Sequence, residues 1–319
     1  MNNSKNNIIH KLLWGIIPIF LGITHMDAQQ DAQYTQYMYN TVSVNPGYAG
    51  SRGHMSIAAL YRAQWVGLDG APKTQTFNLH TPMGYKGSGI GISVVNDQIG
   101  PTSETYFDLD LSYTIQTSQD ARLSFGIKGS AHLLDIRFSE LNQDLSNPGG
   151  PDPTLQQDIQ NRFSPNIGAG VYYHTQRFYA GLSVPRILET THFDESSLST
   201  ASEELNFYFI TGYVMEMSAF WKFKPALLTK VVRGAPLQLD LSANFMYNDK
   251  FILGAAYRWD AAFSGMAGFQ ISPSFLLGIA YYREITDLGN AAFNDGSFEV
   301  ILRYDFIRVQ GNLKSPRFF

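Results

Sequence analysis

The chain contains no cysteine. That excludes disulfides, thiolate metal ligands, a cysteine nucleophile and lipid attachment at an N-terminal cysteine. Charge is also scarce: Asp, Glu, Lys and Arg make up 16% of 319 residues, against roughly 25% in an ordinary globular chain. The net charge of −4 includes no basic block, so nucleic acid is not an expected partner. Beyond the N-terminal run, no apolar stretch reaches the roughly 18 residues that mark a membrane-spanning helix. The 7 histidines never pair at i, i+4, so no metal site is expected. No serine lies in a G-x-S-x-G elbow. The closely spaced glycines of Gly87-Ser88-Gly89-Ile90-Gly91 open a strand, with no helix to cradle a phosphate, and are read as relief of crowding. Asp144–Asp152 lacks the alternating acidic ligands of a calcium loop and is read as a solvated connector. Neither an enzyme nor a cofactor is expected.

Aromatic residues, at 14%, are abundant, and they are arranged in alternation. Phe107, Leu109, Leu111, Tyr113 and Ile115 interleave with Asp108, Asp110, Ser112 and Thr114. The same period of two runs through Leu237–Phe245 and Phe298–Phe306. Strand side chains point to opposite faces in turn, so each segment has one apolar and one polar face. Aromatic-rich alternating strands of about ten residues, separated by turns, are the signature of an outer-membrane barrel.

An export signal precedes them. Lys5 and Lys11 flank a polar start, and Leu12–Ile23 is an apolar run too short to span a bilayer. Cleavage is expected after Ala28. The fold expected is all-β, a transmembrane antiparallel β-barrel of about fourteen strands in the cell outer membrane, with outer-membrane lipid around it. The layout is a signal peptide (1–28), a periplasmic N-terminal segment (29–53), the barrel (54–307) and a periplasmic C-terminal tail (308–319).

Strands are expected near 55–65, 73–82, 88–97, 104–116, 121–136, 163–174 and 177–185. The second half continues near 206–217, 219–230, 236–247, 250–260, 262–272, 274–284 and 296–307. Connectors then alternate between tight turns on one side, assigned to the periplasm, and longer loops on the other. On the long-loop side only the Asp260–Ala261 joint is short. The lumen set includes Arg62, Gln64, Asp108, Asp110, Lys128, His132, Asp240, Asn244, Arg258, Glu299 and Arg303. Charges of both signs are interleaved there, which argues for mutual pairing over an ion-selecting ring. An arginine at lipid-facing Leu109 should be costly, and the same change at Asp110 better tolerated.

Several stretches form an ordered set of motifs. They begin with Gln36-Tyr37-Met38-Tyr39-Asn40 and Val44-Asn45-Pro46-Gly47-Tyr48-Ala49-Gly50-Ser51-Arg52-Gly53. Tyr61–Gly67, Asp69–Thr76, Asn96–Glu104, Leu182–Arg186, Lys230–Pro236 and Asp287–Asn290 follow, and the chain closes on Leu302–Phe306 and Ser315–Phe319. Over essentially the whole mature length this resembles the PorP/SprF family of outer-membrane proteins tied to type IX secretion and gliding. The resemblance implies type IX secretion components as partners. One branch of the family belongs to the core apparatus, and another accompanies a large secreted adhesin. Within the motifs, the candidate partner contacts are Gln36, Tyr37, Asn45, Pro46, Tyr48, Gln64, Trp65 and Arg317. The loops near 138–162 and 186–205 are candidates for client contact. The aromatic segment 29–53 should dock, either in the barrel mouth as a plug or on a periplasmic component. A passive solute porin is the alternative reading.

Overall fold

A computed structural model describes residues 34–84, 87–141, 158–188, 205–233, 235–286, 289 and 294–307. The strands run β1 (Met55–Ala63), β2 (Lys73–Pro82), β3 (Ser88–Ile99), β4 (Thr102–Gln116) and β5 (Arg122–Ile136). Next come β6 (Ile159–His174), β7 (Phe178–Val184), β8 (Asn206–Tyr213), β9 (Met215–Glu216) and β10 (Trp221–Val232). The last five are β11 (Gln238–Tyr247), β12 (Phe251–Arg258), β13 (Ala262–Ser272), β14 (Phe275–Glu284) and β15 (Ser297–Phe306). Neighbours pair antiparallel around the sheet, and β15 closes on β1 from Met55↔Phe306 to Ala63↔Phe298. Both β8 and β9 pair with β10 and form one interrupted wall strand, so the closed barrel has fourteen. Closure leaves no edge, which is what allows a sheet to sit in lipid.

The interruption falls at Val214, where the sequence suggests a continuous strand over 206–217. Its cause lies across the seam. Pro225 has no N–H to give, and the pairing of β10 with its neighbour skips Lys224 and Pro225.

Tight turns join β4–β5, β6–β7, β9–β10, β11–β12 and β13–β14, all at one end, where the short β2–β3 connector also lies. At Asn248-Asp249 both central residues are left-handed, with φ 52° and 53°, which suits the twist of a two-strand hairpin. The opposite end carries most of the longer connectors. One expectation there needs correcting. The segment 97–103 is not a loop, because β3 and β4 extend to a turn at Gly100-Pro101, with Gly100 at φ 54°. The strands gain this length through polar ties: Thr74 donates to Asp97 (2.6 Å) and Asn96 to Thr105 (2.8 Å). In the same region β6 begins at Ile159, ahead of the expected 163.

The alternation sorts the two faces as the sequence implies. Leu109 is 46% exposed, while its neighbour Asp110 is 0%. Outward-facing Tyr113, Phe125, Trp221, Tyr247 and Tyr304 ring the tight-turn end, and Tyr61, Phe207, Trp259, Phe263 and Phe298 ring the other. Such paired aromatic girdles mark the two bilayer interfaces. Among the described residues no helix is long and apolar enough to cross a membrane. Among the described residues the wall crosses with strands.

Candidate functional site

Inward-facing side chains of a barrel this wide could line a channel. Here they are covered instead. Residues 34–53 run through the lumen as two 3-10 turns (Tyr37–Tyr39 and Pro46–Tyr48) and one short helix (Thr41–Val44). Tyr34 meets Thr76, the fourth residue of β2, and Thr35 meets Glu299, the third of β15; both positions are near the long-connector end. Gly50 lies beside Pro82 and Gly89, at the tight-turn end where β1 starts. The sequence places the whole of 29–53 on the periplasmic side, whereas its described part threads the lumen from one end to the other.

Nothing in this stretch has helical or strand periodicity, so its shape comes from the wall. Both oxygens of Glu299 accept backbone N–H bonds, from Thr35 (2.9 Å) and Gln36 (2.8 Å). Tyr37 shares a hydrogen bond with Ser242 (3.2 Å), and Asn78 donates to Asn40. Ser183 donates to the Val44 carbonyl and Ser112 to that of Ala49, each at 2.7 Å. The Asn45 side chain caps the second 3-10 turn by accepting from Gly47 N–H (2.9 Å) and donates to the wall carbonyl of Val171 (3.1 Å). At the lower end Arg52 pairs with Asp305 at 2.8 Å.

Glycines on the wall make room for this main chain. A Cβ on Gly126 would fall on Gly47 N and Pro46 C, one on Gly89 on the Ala49 carbonyl, and one on Gly170 on the Asn45 side chain. In the Gly87–Gly91 run a Cβ on Gly87 would meet the Thr114 carbonyl of the wall, one on Gly89 the Ala49 carbonyl of the segment, and one on Gly91 both Asp110 and Val42, so the crowding comes from wall and segment together. Arg52 is the one charged residue between Tyr34 and Gly53.

The wall charges are satisfied in two ways. On β4 and β5 they pair with one another: Lys128 contacts Asp108 and Asp110, each at 3.0 Å, and Ser130 donates to Asp108 at 2.6 Å. Above them Tyr106 stacks on His132 at 4.2 Å, and the Arg186 guanidinium lies 3.8 Å from the Tyr106 ring. On β15 they face the segment: Glu299 holds its upper end, Asp305 its lower, and Arg303 lies 5.8 Å from the Tyr39 ring. Arg258 is bonded to Asp240 at 2.7 Å, and the Tyr282 ring has the guanidiniums of Arg62 and Arg258 at 5.3 and 5.4 Å.

Ten of the eleven residues assigned to the lumen from sequence are buried inside it. Gln64 is the exception and a correction. It lies past the end of β1, half-buried, with its N–H on the Pro72 carbonyl at 2.9 Å. Of the candidate partner contacts, Gln36, Tyr37, Asn45, Pro46 and Tyr48 are buried in the lumen. Trp65 is half-buried at the opposite end from Gly50, donating Nε1–H to Glu284 at 2.7 Å. The expected signal peptide, Arg317 with the rest of 308–319, and most of the two candidate client loops (142–157 and 189–204) lie outside the described residues. Lys224 and Lys230 on β10 and Asn78 and His80 on β2 also face inward, all buried. For β2 a signal was present in the polar alternation of Thr74, Thr76, Asn78 and His80. Among the described residues no group of three His, Asp or Glu is placed to hold a metal ion.

Several solved structures align with the chain. The monoaromatic hydrocarbon channel CymD aligns at 10% identity and a TM-score of 0.50, covering 92% of this chain and 98% of its own. The toluene transporter TbuX of Ralstonia pickettii aligns at 8% and 0.47, covering 84% and 92%, and the outer membrane protein Omp33 of Acinetobacter baumannii at 9% and 0.45, covering 79% and 98%. At such identities the likeness to CymD speaks for the fold alone. No curated protein matches the chain. The family model described as type IX secretion system membrane protein PorP/SprF matches residues 26–304. This chain therefore belongs to the PorP/SprF family and is a protein of the outer membrane.

Proposed function

We propose that this barrel is a partner of the type IX secretion machinery that assists secretion or surface retention of a client protein, such as a gliding adhesin. The family match over 26–304 carries this reading. The lumen supports it: among the described residues Asp110, Lys224, Glu299 and Lys128 are only 0–3% exposed, covered where a passive porin keeps a watered wall. Family and fold are of non-enzymatic kinds. Among the described residues, Gln64 and Trp65 are the candidate contacts that stay half-exposed, at the long-connector end. The five buried ones could meet a partner only after the segment leaves its seat.

The test compares surface and secreted proteins of cells with and without the chain, by surface labelling and mass spectrometry. Loss of one or a few surface proteins, with no swelling of liposomes carrying the purified barrel, is the expected result. An unchanged surface together with solute-driven swelling would return the chain to the porins.

A further inference from the structure

We propose that residues 34–53 are a displaceable hatch. The lumen is a polypeptide-binding site that the chain fills with its own segment, and its ligand class is a tyrosine-bearing segment of a partner protein, neutral except for one basic residue at its tight-turn end, taken in exchange. This stands on the geometry of the lumen and does not depend on the secretion reading.

Three observations carry it. First, the wall is complete without the segment. Every strand has its neighbours, β1 closes on β15, and residues 34–53 belong to no sheet. Removing them would break none of the wall ladder; the uncovered face carries Ser, Thr, Asn and charge that can hydrate beside apolar residues such as Ile210, Leu276 and Ile301, which an occupant with aromatic side chains would cover again. Second, the wall reads main chain. Glu299 takes two N–H groups, Ser183 and Ser112 donate to two carbonyls, and Gly126, Gly89 and Gly170 leave space for backbone. These contacts would suit any peptide of similar course. Third, selectivity comes from a few side chains. Tyr34 reaches Thr76, Tyr37 reaches Ser242, and Tyr48 packs edge-on against His80 and Tyr172, each with centroids 5.2 Å apart. Apart from the one cation that answers Asp305 at the tight-turn end, a charged segment would meet wall charges already matched to main chain and to neutral side chains.

The test uses the full chain, purified and inserted in lipid vesicles. The probe is a fluorescein-labelled synthetic peptide with the sequence of residues 34–53. A paired Tyr34→Phe, Tyr37→Phe change loosens the resident segment and leaves the wall, with Glu299, intact to receive the peptide. Val42→Cys with Gly91→Cys, in the same chain, provides a lock, because a Cβ at Gly91 stands 3.3 Å from a Val42 methyl carbon. With the lock reduced the peptide should bind, at least about tenfold tighter than a scrambled peptide and than the oxidised form, since a hydrogen bond to a charged group is commonly worth that factor. Reduction after oxidation should restore binding. Heat-modifiable gel migration shows that the barrel is folded in each case, and a single Tyr34→Phe chain replaces the pair if that variant does not fold. A folded, loosened barrel that takes up no peptide, or takes up equal amounts locked and unlocked, would overturn the hatch.

Discussion

The β4–β5 wall and the β15 wall solve the same problem in opposite ways. Both place charges inside a lumen, where an unpaired charge is costly. Between β4 and β5 the solution is internal, since Lys128 sits between Asp108 and Asp110 and the cluster needs nothing from the segment in the lumen. On β15 the carboxylates are completed from outside the wall, Glu299 by the amides of Thr35 and Gln36, and Asp305 in part by Arg52. One region stabilises the barrel, and the other holds its contents. Perturbing the first should cost the fold, and perturbing the second should cost occupancy of the lumen.

The largest effect is expected at Lys128. Lys128→Met leaves Asp108 and Asp110 buried without their cation, and removing one partner of such a pair typically costs about 3–5 kcal/mol. A urea titration of the barrel in lipid vesicles, read by heat-modifiable migration, should show a correspondingly lower midpoint. An unchanged midpoint would mean that the cluster does not act as a paired unit.

Next comes the outer face of the same strand. Leu109→Arg puts a cation into the hydrocarbon belt and should cost roughly 2–4 kcal/mol. The sequence suggests that arginine at Asp110 would be milder. The structure reverses that expectation, since Asp110 is fully buried against Lys128. Asp110→Arg should lose at least as much assembled barrel as Leu109→Arg, and milder behaviour would show that the inner cluster is looser than its geometry.

On the β15 side Glu299→Gln should leave assembly nearly intact and loosen the segment. A hydrogen bond to a charged acceptor is worth about 1.5–3 kcal/mol. Met38 is 1% exposed and the chain has no cysteine, so Met38→Cys supplies a reporter without background. In that reporter chain, Glu299→Gln should raise thiol labelling at least about tenfold at unchanged gel migration. Lys128→Met should leave labelling per folded barrel where it was. Equal acceleration by both would erase the distinction between the two walls.

This contrast also marks how far the sequence could be read. Period-two alternation is a local property, so the faces of β4 and the full extents of β2 and β13 follow from the residue order alone. The break at Val214 does not, because its cause, Pro225, sits on the next strand. The extension of β3 and β4 depends on Thr74 and Asn96, polar residues that read equally well as loop. The docking of the N-terminal segment as a plug was one of two readings its aromatic content allowed. Its path was hidden, since Glu299, Ser183 and Ser112 lie 139–264 positions, or 63 for Ser112, from the backbone groups they hold. Wall glycines that look permissive in sequence acquire their meaning only once Pro46 and Gly47 are set against Gly126.

The smallest effect separates neutral seats from charged ones. Tyr37 is 2% exposed and gives the wall one neutral hydrogen bond, to Ser242 at 3.2 Å. Tyr37→Phe keeps the ring and removes only that bond, worth about 0.5–1.5 kcal/mol. In the Met38→Cys reporter chain, labelling should therefore rise a few-fold, less than with Glu299→Gln, and the urea midpoint should not move. Tyr37 and Lys128 share no bonding partner, so adding Lys128→Met should lower the midpoint by the same amount as in the parent chain while the few-fold rise in labelling persists, as additivity of independent sites requires. If Tyr37→Phe instead lowered the midpoint as far as Lys128→Met does, the segment would be part of the barrel's folding core, and the division between a wall that stabilises itself and a wall that holds its contents would fail.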